Sequence, residues 1–222
     1  MRHFIKINRF NIGCLLLLLL SATSLWAHTI NYALADAPTH NVVWYYLKLG
    51  FHHILPEGLD HILFVVGLCL ISTRLKTILW QATAFTVAHT ITLAMSMKGA
   101  IIAPPALVEP IIALSIMFVA IENLLISELK PWRIAVVFLF GLIHGMGFAN
   151  SLNEIGLPPN KFYTSILAFN VGVELGQIAV IAAVFALIII PLRNQVWYKK
   201  RVAYPLSILI ALIAAYWTIQ RL

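Results

Sequence analysis

Residues 50–64 read GFHHILPEGLDHILF, and they set His52, His53, Glu57, Asp60 and His61 against the start of a long apolar run. Whether that run continues into a water-soluble core or into lipid decides the fold. The 222-residue chain is 61% hydrophobic and only 10% charged, with a mean hydropathy of +0.92. A core of that size cannot hide so much apolar surface, and the runs recur to the C-terminus, so the chain needs lipid. It reads as an all-α polytopic membrane protein.

Outward from residue 50, the chain divides into three parts. Residues 1–27 carry Arg2, Lys6 and Arg9, then IGCLLLLLL, then SATSLWA. That charged, apolar, small order predicts an exported signal peptide cleaved after Ala27, with an uncleaved anchor as the alternative. Residues 28–58 read as an exported segment followed by an interfacial helix, NVVWYYLKLGFHHIL, rich in aromatic residues. Pro56 and Gly58 then punctuate the chain. Residues 59–222 hold six apolar runs at 59–73, 77–97, 105–126, 133–152, 162–191 and 202–220, most of them close to the ~20 residues a helix needs to span hydrocarbon. The reading is therefore a six-span helical bundle after a signal peptide, with a short interfacial helix before the first span.

The formal charge of +7 is a matter of topology. Arg74, Lys76, Lys130, Arg133, Arg193, Lys199, Lys200 and Arg201 follow the first, third and fifth spans, while Lys48, Lys98, Lys161 and Arg221 fall on the other side. The positive-inside rule puts the larger set in the cytoplasm and both mature termini on the exported side. No basic cluster interleaves with aromatics, so no nucleic-acid partner is expected. Cys14 falls in the signal and Cys69 stands alone in an apolar run, which gives no disulfide framework or thiolate metal site.

With that orientation, polar side chains of separate helices share one depth. His89 in FTVAHTITLAMS and His144 in FLFGLIHGMGFANSL both lie roughly 12 Å below the exported surface. Asn170 in FNVGVELGQ is at about that level, with Glu174 and Gln177 at i+4 and i+7. Thr86 shares a helix face with His89. Ionisable groups inside spans are expensive and face a bundle interior, a water-filled cavity or a partner. The small-xxx-small pairs Gly141/Gly145 and Gly172/Gly176 permit close helix packing, which predicts His144 near Glu174. Imidazoles and carboxylates converging in low dielectric suit a borderline divalent cation such as Ni, Co or Zn.

The candidate metal ligands are thus His53, Asp60, His61, His89, His144 and Glu174, supported by His52, Thr86, Asn170, Gln177 and Glu122. Structural roles compete with this assignment. Asp60 suits a helix cap, His52 and His53 suit an interface, and His89, His144 and Glu122 suit interhelical hydrogen bonds.

The ordered motifs GFHHILPEGLDHILFVVGL, FTVAHTITL, VEPIIALSIMFVAIENLL, FGLIHGMGFANSL and FNVGVELGQ, from Gly50 to Gln177, resemble the HupE/UreJ family of bacterial membrane proteins. Several members are described as nickel or cobalt permeases associated with hydrogenase and urease. The resemblance implies that His53, Asp60 and His61 act in metal uptake. In this chain six residues separate His53 from Asp60, where the nickel-permease pattern has five, and FGLIHGMGF has a single histidine where the family pairs two with a glutamate.

Three functions fit these residues. A divalent metal transporter would capture the ion at His52, His53, Asp60 and His61, hold it at His89, His144 and Glu174, and release it past Glu122. An intramembrane zinc hydrolase would hold zinc at His61, His89 and His144, with Asp60 or Glu174 as general base. A metal sensor or assembly partner would need the ion site and no through-path. Transport is favoured because the resemblance adds to the chemistry, and a catalytic role is not assigned.

Overall fold

The computed structural model describes residues 34–126 and 130–222; the expected signal peptide lies outside the described residues. Among the described residues seven long helices follow one another: α1 (Thr39–Ile54), α2 (Leu59–Leu70), α3 (Leu75–Met97), α4 (Pro105–Leu125), α5 (Arg133–Ile155), α6 (Phe162–Val184) and α7 (Tyr204–Gln220). No strand occurs among the described residues. A wide π-helical turn, Phe185–Ile189, carries α6 on towards Leu192, and a second, Lys199–Ala203, leads into α7.

Local chemistry sets the boundaries. Proline cannot donate a backbone hydrogen bond, so Pro105 sits in the first turn of α4, where none is required. Gly156 ends α5 with φ +83°, a conformation that disfavours side chains with a Cβ. The Tyr46 hydroxyl donates to the Gly156 carbonyl at 2.7 Å and so ties α1 to this end of α5.

Three closely packed pairs, α1 with α6, α3 with α5 and α4 with α7, surround the short α2. Seven residues of α2, from His61 to Leu70, are buried. Asn123 of α4 clips the centre together, its amide reaching the Gly67 carbonyl of α2 at 2.8 Å and Ser207 of α7 at 3.3 Å. Outward faces stay apolar: Leu139, Leu167 and Leu212 are each more than half exposed. Apolar surface spread over every long helix belongs against lipid.

Among the described residues, five helices are long and apolar enough to cross a membrane, and the chain is a multi-pass membrane protein. The bent pair α1 and α2, which meet at 67° around Pro56 and Gly58, makes a sixth candidate when the two are taken as one broken span. Alone, the 12 residues of α2 extend only about 18 Å. The interfacial helix expected before the first span is present as α1, but it packs lengthwise along α6 instead of lying apart from the bundle, so tightly that a Cβ on Gly172 would lie 2.1 Å from the Leu47 carbonyl oxygen.

Candidate metal centre

The bend between α1 and α2 brings the opening motif onto the bundle. His53 ends α1 and His61 begins α2, so the turn at Pro56 folds the two imidazoles together, with ring centroids 4.8 Å apart. α3 supplies His89, and one ligand-capable atom from each of His53, His61 and His89 lies within 4.8 Å of the other two. His61 and His89 are buried and His53 is half-buried. His144 of α5 is next to this group, its ring 5.0 Å from that of His61. Phe64, Phe85, Phe148 and Phe169 surround the imidazoles.

Hydrogen bonding determines which nitrogens are free. Asn170 donates through Nδ2 to the Ile166 carbonyl at 2.9 Å, which turns Oδ1 towards Nδ1 of His89, also at 2.9 Å. An amide oxygen only accepts, so His89 carries its proton on Nδ1 and presents a lone pair at Nε2. On α4, Ser115 donates to the Ile112 carbonyl at 2.7 Å and accepts from Nε2 of His144 at 3.0 Å, which leaves Nδ1 of His144 as the bare nitrogen. Nε2 of His53, His61 and His89 and Nδ1 of His144 are all buried without a hydrogen-bond partner. Buried polar atoms are nearly always satisfied, so imidazole nitrogens left without a partner on His53, His61 and His89 are free to hold a ligand.

A cavity of about 470 Å³ opens onto this cluster, lined by His53, His61 and His144 and, farther out, by Glu57, Asp60, Glu109 and Arg221. Asp60 makes no capping bond at the start of α2. It holds the Arg221 guanidinium in a two-pronged pair, at 2.9 and 3.2 Å, which ties α2 to the end of α7 at the cavity. His52, one residue from His53, is exposed.

Glu174 lies elsewhere. Thr83 donates to its Oε1 at 2.7 Å and Thr86 to its Oε2 at 2.5 Å, while Gln177 donates to Thr86 at 2.7 Å. This carboxylate is one helical turn beyond Asn170 on the seam between α3 and α6, and belongs to no histidine group among the described residues. The expectation that paired glycines bring His144 near Glu174 needs correction. Gly141 and Gly145 press on Phe85 and His89 of α3, while Gly172 and Gly176 press on Leu47 and Ile54 of α1. α3 is the common neighbour, and it receives His144 on one flank and Glu174 on another.

Glu122 forms a buried ion pair with Arg133, Oε2 to Nε at 3.3 Å. Sequence reading missed Arg221, Thr83 and the Ser115 bond to His144. Thr83 had a signal, since Thr83, Thr86 and His89 recur every third residue along one side of α3.

The fold and the site define a polytopic helical membrane protein with a cluster of histidines beside a cavity. A family model described as "HupE / UreJ protein" matches residues 29–221, and the chain belongs to that family. No curated protein and no solved structure matches the chain.

Proposed function

We propose that this protein carries a divalent transition metal ion of the nickel or cobalt type across the bacterial inner membrane, taking it from the periplasmic side. One observation carries the reading: His53, His61 and His89 bring a ligand-capable nitrogen each within 4.8 Å of the others, each imidazole keeps a buried Nε2 without a hydrogen-bond partner, and His53 and His61 line a cavity that Glu57, Asp60 and Glu109 also line. Imidazole suits Ni, Co and Zn, and carboxylates attract the hydrated ion before it sheds water.

The chain's own residues divide the work. Glu57, Glu109 and Asp60 give the cavity mouth acidic groups, and Asp60 exchanges Arg221 for the ion. His53, His61 and His89 take the ion, with His144 as an additional ligand. Three or four neutral nitrogens leave a double charge uncompensated in low dielectric, so the ion is drawn on towards an anion. Glu174, with Thr83, Thr86 and Gln177 around it, is that anion, one turn farther along the seam. Sites that bind but still release are what conduction requires.

Uptake of Ni, Co and Zn into proteoliposomes tests the proposal. Wild-type protein gives saturable uptake, His89→Ala abolishes it, and Glu174→Gln keeps binding while slowing movement. Binding without flux in the wild type would instead favour a zinc hydrolase, a reading supported by a three-histidine set of which His53 and His61 line a cavity of about 470 Å³.

A further inference from the structure

About 20 Å along α3 from His89, a second cavity of about 880 Å³ lies between the starts of α3 and α5. Arg74, Lys76, Lys130 and Arg133 line it, beside Trp80 and Ile134, and no carboxylate lines it among the described residues. Arg74, Lys76 and Lys130 are exposed and form no ion pair among the described residues.

Arg133 is different. It is 2% exposed, its Nε faces Glu122 at 3.3 Å, and its Nη1 and Nη2 are buried with no hydrogen-bond partner. A buried guanidinium with two idle donors costs free energy until an acceptor reaches it. The planar fork of arginine matches phosphate oxygens two at a time, and the neighbouring basic residues add attraction for the same charge. Such a cavity repels a divalent cation, so it is no station for the metal.

The walls indicate where the phosphate comes from. Trp80 is 59% exposed and Ile134 42% exposed, so the cavity borders the lipid-facing surface. Tryptophan collects at membrane interfaces, and basic pockets between spans on the cytoplasmic side hold anionic headgroups. We propose that this cavity binds the headgroup phosphate of an anionic phospholipid, with Arg133 as the buried anchor and the acyl chains running along Trp80 and Ile134. This inference is independent of the histidine site and of what that site carries.

The test is native mass spectrometry of the full chain in mild detergent, with added cardiolipin or phosphatidylglycerol, phosphatidylcholine, or excess inorganic phosphate. The expected result is retention of the anionic lipids over phosphatidylcholine. Affinity falls on the order of 100-fold in Arg74→Gln/Lys76→Gln/Lys130→Gln, whose exposed positions leave folding alone. Arg133→Lys keeps the charge beside Glu122 and loses the fork, and it also weakens retention. Equal retention of phosphatidylcholine, or unchanged retention in the triple variant, overturns the proposal. Displacement of bound lipid by inorganic phosphate overturns the lipid source in favour of a soluble phosphate ligand.

Discussion

Nδ1 of His89 lies 2.9 Å from Oδ1 of Asn170, and that oxygen is oriented because the same amide donates to the Ile166 carbonyl. One residue on α6 thereby decides which nitrogen a histidine on α3 offers to an ion. Outer partners of this kind govern metal affinity, so Asn170→Leu is expected to weaken Ni or Zn binding by about 10–100-fold. Titration calorimetry on purified protein measures it. The helical fold is expected to survive, as circular dichroism would show.

Close packing of α3 and α5 sets the reach of His144. A Cβ at Gly145 would lie 2.3 Å from the His89 carbonyl oxygen and 2.3 Å from Oγ1 of Thr92. Gly145→Ala must push the helices apart and carry His144 away from His61. Weaker metal binding with all histidines still present is the expected outcome, and equilibrium dialysis reads it.

The Glu122–Arg133 pair is buried at both ends, with side chains 5% and 2% exposed. Removing one charge strands the other, so Glu122→Gln is expected to cost about 3–5 kcal/mol of stability. Glu122→Gln/Arg133→Met removes both charges and should recover much of the loss. Thermal melting of the two variants in the same detergent compares them.

Asp60 and Arg221 form a partly exposed pair at the cavity that leads to the histidines. In a transporter this pair gates access, and Arg221→Gln leaves the carboxylate free for the ion. Faster initial uptake at low metal concentration is expected, with Asp60→Asn slower than wild type. Stopped-flow uptake into vesicles distinguishes this from a purely structural pair, for which both variants would act alike.

The fold class was legible because hydropathy and the ~20-residue length of the runs answer to one solvent, lipid. The inward face of α1 was not read: its aromatic residues suggested an interface, whereas Val42, Tyr46, Gly50 and Ile54 recur every fourth residue and are all buried. His53, three residues after Gly50, turns in beside them while His52 faces out. Which helix meets which was not legible. Gly141/Gly145 and Gly172/Gly176 have the same spacing, which marks a face for close approach without naming its partner, and the partners proved to be α3 and α1. Asp60 and Arg221 are separated by 161 positions, so only the tertiary fold reveals their pairing.

X-ray absorption spectroscopy of the nickel- or zinc-loaded protein tests the central claim most directly. The account expects three or four imidazole nitrogens around the ion, at about 2.0–2.1 Å for zinc, and loss of the bound metal in His89→Ala. An oxygen-only coordination shell, or a spectrum unchanged by His89→Ala, would contradict it.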